Sequence, residues 1–336
     1  MANLRIGLRA SMDGGPEARA HSLAKMKLAE QLGYDILWLD ETWGEDVITH
    51  MNEVVAATST IKVGGLVNVF SRSPGVIASS FATLDERSGG RIVLSLATSG
   101  ANVIEHFHGV PYEKSLRRLR EYVDIINMLV RGERLIYDGE IFHMSRGFRL
   151  QVPRARDHIP VFIAAISPRS IEQTGEIADG IIPIHWPKDR YDSLRQRIAK
   201  GAAKAGKKGT DVEITPYLTV GYVTDESQRA AVTRQAKQPV AWYIGRMGVF
   251  YKQMLAREGY AAEVPVIEAA WERGQDAAID AVPDAMNANI AFVGTPQELH
   301  KQFVDLTDHG IDVVNVTMPR GTYEEAAPIL EALIKG

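Results

Sequence analysis

The 336-residue chain contains no cysteine. That excludes a disulfide framework, a thiolate zinc site and a catalytic thiol, and it suits a reducing compartment. Nor does any apolar run approach the ~20 residues that a membrane-spanning helix needs. The segment from Met1 to Met12 carries Arg5 and Arg9 inside its apolar stretch, so it lacks the core of a secretory signal. Basic clustering is missing too. The formal charge is −4 and Lys and Arg are scattered, leaving no stripe able to neutralise nucleic-acid phosphates. A cytoplasmic protein with no nucleic-acid and no membrane partner is the expectation.

Several catalytic signatures are absent as well. No G-x-G-x-x-G follows the first strand, which argues against a dinucleotide-binding open sheet. Neither G-x-x-x-x-G-K nor H-E-x-x-H occurs, and no serine lies in G-x-S-x-G. No His, Asp and Glu residues fall at metal-ligand spacing, so no metal is expected.

What is present is an ordinary globular balance, 45% apolar and 24% charged, able to bury a large core. The length suits one α/β barrel, typically about 250 residues plus insertions. A single domain over residues 1–336 is predicted. Short β-branched runs alternate with helical patterns throughout. Strands are read at 4–8, 35–39, 61–66, 91–96, 161–165, 180–184, 213–223 and 313–316. Helices are read at 17–32, 46–58, 74–88, 112–131, 168–178, 189–205 and 323–334. Gly33 and Gly89-Gly90 serve as stops, because glycine tolerates the left-handed conformation of a C-cap.

Eight parallel strands with helical crossovers predict a (β/α)8 TIM barrel, with a doubly wound open sheet as runner-up. A β-hairpin insertion is read over 136–142 after the fourth helix, with Asp138-Gly139 at its centre. A helix-rich insertion occupies about 226–287, between strands seven and eight.

In such a barrel the chemistry sits at the C-terminal ends of the strands. Asp40, Glu41 and Trp43 follow strand two, Val67 and Asn68 follow strand three, and Thr98, Ser99, Ala101 and Asn102 follow strand four. Ile166 and Ser167 follow strand five, and His185 follows strand six. Each has a plain structural reading. Asp40 and Glu41 can cap a helix, Trp43 can plug the mouth, and His185 can be a hydrogen-bonded loop residue. Ser167-Pro168 is an N-cap with proline at the first helical position; its functional version is a phosphate seat. Their joint placement at one rim favours function.

The runs Gly65-Leu66-Val67-Asn68-Val69-Phe70-Ser71-Arg72-Ser73-Pro74 and Ala82-Thr83-Leu84-Asp85-Glu86-Arg87-Ser88-Gly89-Gly90-Arg91 resemble the luciferase-like monooxygenase superfamily. So do His108-Gly109-Val110-Pro111-Tyr112 and Gly175-Glu176-Ile177-Ala178-Asp179-Gly180. Within it the chain is most similar to the coenzyme F420 branch, which includes methylenetetrahydromethanopterin reductase. The resemblance runs from about Asn3 to the C-terminus and is weakest over 226–287.

The resemblance implies a deazaflavin ring across the strand ends and a non-proline cis peptide after strand three, by position Gly65–Leu66, pressed against the ring. It places Asp40, Gly65, Leu66, Val67, Thr98, Ser99, Ala101 and Asn102 at the cofactor, and Ala164, Ala165, Ile166 and Ser167 at its phosphate. Glu41 and Trp43 stand toward the substrate, and Glu41 or His185 would carry the accompanying proton. It also implies a homodimer. One position departs from the reductases, which carry an acidic residue on strand one where this chain has Arg9; a cation cannot relay a proton as a carboxylate does. Arg9 then anchors an anionic substrate or pairs with Asp40 or Glu41.

The function expected is F420-dependent hydride transfer to or from a small organic substrate. The alternatives are an FMN-dependent luciferase-like monooxygenase and a barrel that binds a deazaflavin or other ligand without turnover.

Overall fold

A computed structural model describes residues 4–12 and 14–336. Its chain order is β1 (Ile6–Ala10), α1 (Pro16–Leu32), β2 (Ile36–Asp40), α2 (Val47–Ala57), β3 (Lys62–Asn68), α3 (Pro74–Ser88) and β4 (Ile92–Ala97). There follow α4 (Ala101–His106), α5 (Ser115–Val130), β5 (Leu135–Asp138), β6 (His143–Phe148), β7 (Val161–Ile163), α6 (Pro168–Ile177), β8 (Gly180–Ile181) and α7 (Tyr191–Lys204). After β9 (Glu213–Ile214) and β10 (Tyr217–Tyr222) come α8 (Arg229–Ala236), α9 (Gln238–Arg246) and α10 (Val249–Leu255). A π turn at Ala256–Tyr260 leads to α11 (Glu263–Trp271), α12 (Gln275–Ala281) and α13 (Asp284–Ile290). Last are β11 (Ala291–Gly294), α14 (Pro296–Asp308), β12 (Val314–Thr317) and α15 (Tyr323–Lys335).

Ten strands form one curled sheet in the order β11-β10-β12-β1-β2-β3-β4-β7-β8-β9. The ladders in it are parallel, as helical crossovers require. β9 and β10 are separated only by Thr215 and Pro216. This single run of chain pairs with β8 on one side and β12 on the other, and Ile184 bridges Tyr217. The curl therefore brings both ends of the strand order to residues 213–222.

The pattern read as one strand over 213–223 breaks at Pro216, which has no N–H to give the ladder. The expected hairpin is present as antiparallel β5–β6, but its connection is Gly139 to Phe142 rather than a two-residue turn at Asp138-Gly139. The carboxylate of Glu121 on α5 explains the wider loop. It accepts the N–H groups of Glu140 (2.8 Å), Ile141 (3.1 Å) and Phe142 (3.0 Å). Short α4, β11 and the thirteen-residue α14 have no counterpart in the sequence reading.

Side chains on alternate strand positions fill the inside of the curl. Trp38, Phe162 and Tyr217 form its middle, with ring centroids 5.8 and 6.1 Å from Trp38 and edge-on geometry. Glycines on other strands make the room. A Cβ at Gly64 would lie 2.3 Å from the Trp38 ring, and one at Gly180 would lie 2.1 Å from Phe162. Trp38 Nε1 donates to Asn315 Oδ1 (3.1 Å), and Asn315 Nδ2 donates to the Thr215 carbonyl (3.0 Å), so the buried indole and amide are paired, while the Ser95 hydroxyl in register with Phe162 has no partner among the described residues. The opposite faces of the strands pack on the helices in a second, larger apolar core. Among the described residues no helix is long and apolar enough to cross a membrane.

Candidate active site

Period-two alternation brings eight inward residues, on the strands or just past their ends, to the C-terminal rim: Arg9, Asp40, Leu66, Ala97, Ala164, Ile184, Thr219 and Thr317. All remain at least partly solvent-accessible, whereas the layer below is buried. The ring is uneven. Leu66, Ala97 and Ala164 give one side small or apolar groups, and the other side carries charge and hydroxyls.

On that polar side Arg9 Nε donates to Asp40 Oδ2, and Tyr217 donates its hydroxyl to Asp40 Oδ1 at 3.0 Å. The Arg9 guanidinium also lies over the Tyr217 ring, 5.2 Å from its centroid. Of the two roles foreseen for Arg9, pairing with Asp40 is the one found. Burial and the Asp40 charge raise the Tyr217 hydroxyl well above its ordinary range, so it stays protonated and remains a donor.

His185 sits beside this trio with φ 54°, a left-handed conformation costly for a residue with a side chain. Ser99, on the loop after β4, is held at φ 55° in the same way. The His185 side chain is buried, with Nδ1 3.3 Å from Thr219 Oγ1 and Nε2 without a hydrogen-bond partner. Burial, helped by the Arg9 charge, pushes its pKa down to about 3. The imidazole is therefore neutral at ordinary pH and offers one uncommitted ring nitrogen.

Tyr243 on α9 and Tyr251 on α10 meet His185 edge-on, with centroids 4.7 and 6.1 Å away. Further out, Trp43 pairs with Trp242 at 6.5 Å and Tyr112 packs between Phe70 and Phe250. Trp43 is 50% and Phe107 59% exposed, so aromatic faces line the opening.

The sequence candidates separate clearly. Asp40, Leu66 and Ala164 face the interior, His185 joins them, and Trp43 stands on the rim. Glu41 is close by, but its carboxylate is ion-paired with Arg72, which also holds Asp46. Thr98 and Ser99 border the opening, where the Tyr112 hydroxyl donates to the Ser99 carbonyl at 3.2 Å. Ala101 begins α4, and Asn102 is exposed on it.

Gly65 and Val67 point the other way. A Cβ at Gly65 would meet Met51 Sδ at 2.2 Å, so this glycine admits α2 against β3 and does not relieve a clash with a ring. Val67 and Ala165 likewise belong to the outer core. The expected cis peptide at Gly65–Leu66 is also corrected: no cis bond occurs among the described residues. Both residues are regular ladder members, paired with Leu39 and Asp40 on one side and Leu94 and Ser95 on the other.

Ile166 uses its carbonyl to accept Arg257 Nη2 at 3.0 Å. Ser167 caps α6 in a reciprocal box with Ser170, so the amides of both residues are already satisfied within the helix start.

Tyr217, Thr219, Tyr243 and Tyr251 were not read as site residues. Tyr217 was accessible through strand alternation. For the other tyrosines the signal was two adjacent aromatic pairs, Trp242-Tyr243 and Phe250-Tyr251, in a chain only 7% aromatic.

A sequence profile described as luciferase-like monooxygenase matches residues 4–313. The chain belongs to the luciferase-like monooxygenase family. It is 30% identical over 302 residues to 5,10-methylenetetrahydromethanopterin reductase of Archaeoglobus fulgidus, covering 88% of this chain and 89% of that protein. F420-dependent glucose-6-phosphate dehydrogenase of Nakamurella multipartita is 28% identical over 247 residues, covering 69% and 71%. Among solved structures, the coenzyme F420-dependent tetrahydromethanopterin reductase of Methanopyrus kandleri has the same fold, with TM-score 0.80 at 22% identity over 99% of this chain and 98% of that one. Membership of the luciferase-like family makes the chain an enzyme and sets aside a binder without turnover.

Proposed function

We propose that the protein is a coenzyme F420-dependent oxidoreductase that passes hydride between the deazaflavin and a small organic substrate. The proposal includes the finer architecture, a closed (β/α)8 barrel with the β5–β6 hairpin and helices α8–α13 as insertions. The observation that carries it is the two-sided opening: small inward residues on β3, β4 and β7 facing a polar cluster on β1, β2 and β10, roofed by aromatic rings.

That opening fits a planar redox ring on its own terms. Leu66, Ala97 and Ala164 leave an apolar bed, and His185 Nε2 is a buried polar atom awaiting a partner. Asp40, Leu66, Thr98, Ser99 and Ala164 would hold the ring and its polar edge, with Ser167 and Ile166 beside the tail. Bound there, a deazaflavin supplies or takes two electrons as hydride at one ring carbon. The protein's share is positioning and electrostatics. Arg9 presents donors, and Asp40 balances the Arg9 charge while Tyr217 fixes Asp40 through its hydroxyl. Neutral His185 offers a hydrogen bond without bringing a second cation. Glu41 positions Arg72 and the loop after β3, and Trp43 shields the opening from water.

The two relatives quoted at 28–30% identity carry F420 or tetrahydromethanopterin chemistry in their names, which supports the deazaflavin over FMN. Titrating the purified protein with each cofactor tests this. Micromolar F420 binding, with quenching of deazaflavin fluorescence, is expected. Tight binding of FMN alone would overturn the cofactor and favour oxygen chemistry in a dry pocket. A homodimer belongs to the same reading, and light scattering from a single 37.0 kDa species would end it.

A further inference from the structure

A strained residue such as His185 keeps its left-handed backbone only where the surroundings fix it from more than one side. Upstream the fixing is plain. Ile184 bridges Tyr217 on β10, and the Tyr217 N–H donates to the Pro183 carbonyl at 3.0 Å. Downstream, residues 186–190 join no strand. They form a stiff unit of their own: Trp186 is buried, its indole N–H donates to the Arg190 carbonyl at 3.0 Å, and the Pro187 ring locks φ at −63°. Stiffness holds His185 in place only if the unit is tied down.

The tie is Lys188. Its ammonium donates to the carbonyls of Ala288 (2.8 Å) and Ala291 (2.9 Å) and lies 3.8 Å from the centroid of the Phe292 ring. Ala288 belongs to the last turn of α13, where carbonyls lack partners within the helix and the dipole favours a cation. Ala291 is the more telling contact. It is the ladder partner of Thr219, whose Oγ1 stands 3.3 Å from His185 Nδ1.

These contacts close a circuit. His185 meets Thr219 by its side chain, Thr219 meets Ala291 across β10–β11, Ala291 accepts from Lys188, and the stiff loop leads back to His185. A second grip lies further out, where Asn289 Nδ2 donates to Asp189 Oδ1 at 2.7 Å, but Asp189 is exposed and this contact bypasses β10 and β11.

We propose that Lys188 is a positioning residue, whose clamp on the α13–β11 junction holds the His185 imidazole beside Thr219 and out of bulk water. The assignment deepens the oxidoreductase reading and rests on it for what His185 would then meet; the clamp itself needs no cofactor.

The test is ring-nitrogen NMR of the cofactor-free protein labelled at histidine, the His185 signals being those that His185→Gln removes from a set of nine histidines. In the wild type its two ring nitrogens should stay well separated and constant from pH 8 to pH 5, as a held neutral imidazole requires. Lys188→Met keeps an apolar stem over Phe292 and loses both hydrogen bonds. Its His185 signals should converge and titrate with a midpoint moved up toward 6.5. Lys188→Arg can reach both carbonyls and stack on Phe292, and should restore the wild-type pattern. Asn289→Ala removes the outer grip and should leave that pattern intact, while the other histidine signals report that each variant is folded. Unchanged His185 signals in Lys188→Met, the same change in Asn289→Ala, or no recovery in Lys188→Arg overturns the proposal. Fluorescence titration then reads the consequence: F420 affinity at least tenfold weaker in Lys188→Met and within threefold of wild type in Lys188→Arg. Unaltered affinity in Lys188→Met overturns the positioning role even if the signals move. Absence of F420 binding by the wild type would instead sink the cofactor assignment and leave the NMR comparison to decide the clamp.

Discussion

At the residue scale, His185 combines three properties that seldom meet: a left-handed backbone, full burial and an unpartnered ring nitrogen. Each costs stability, and together they describe a residue kept for something other than packing. The cost depends on pH with a definite sign. In the unfolded chain this imidazole takes a proton near its ordinary value of 6.5, whereas in the folded protein it does so only near 3. Between those values the unfolded state binds more protons, so stability falls as pH drops through the window. A single group contributes a slope of at most about 1.4 kcal/mol per pH unit. Urea denaturation from pH 7 to pH 4 should show that slope, and His185→Gln should remove it. An unchanged slope in the variant would show that His185 is not buried as neutral imidazole. Arg9 teaches the complementary lesson: a cation on strand one, unusable as a proton relay, becomes with Asp40 and Tyr217 a net-neutral, internally hydrogen-bonded cluster.

At the scale of elements, the insertions do as much as the strands. The α9–α10 segment brings Tyr243 and Tyr251 over the rim, and the π turn after it anchors to the loop beyond β7 through Arg257. The hairpin is fixed differently, by one buried carboxylate from α5. Glu121 is 1% exposed and takes three successive loop amides, and a Cβ at Gly139 would fall 2.5 Å from its oxygen. Hydrogen bonds to a charged acceptor are worth about 1.5–3 kcal/mol each, though not additively. Glu121→Ala should cost at least about 2 kcal/mol in chemical denaturation and speed amide exchange at Glu140, Ile141 and Phe142 while leaving the rim aromatics unmoved. Slow exchange there in the variant would show that β5–β6 holds its turn unaided.

At the scale of the whole molecule, stability rests on an interior where aromatic rings from two strands occupy space left by glycines on others. Trp38 and Phe162 fit only because Gly64 and Gly180 lack side chains. Gly64→Ala should therefore cost about 1–3 kcal/mol by overpacking. Because the ring it displaces touches several strands, the loss should appear as a lower midpoint of one calorimetric transition for residues 1–336. Two separated transitions would refute the single-domain reading. At the opposite end of the curl from the rim, the block that carries the family resemblance has a mechanical role. Asp85 pairs with Arg156 and accepts the Ile92 N–H at 3.2 Å, while Arg91 donates to the carbonyls of Val55, Thr58, Ile61 and Ser88. Thus the most recognisable stretch of the sequence ties α2 and α3 to the N-terminal ends of β3 and β4, away from the candidate site.

The sequence by itself determined the alternation of strands and helices, the C-caps at Gly33 and Gly89, and the rim position of Asp40, while Leu66 and Ala164 came to the site only through the family resemblance. Local periodicity and glycine geometry are properties of short segments, and they survive without knowledge of neighbours. Which way Gly65 and Val67 face, who holds Arg9 and Glu41, and which helices roof the opening were decided only in three dimensions. Those outcomes depend on contacts between residues far apart in the chain, such as Tyr217 with Asp40, and on an insertion whose helical pattern carries no information about where it docks.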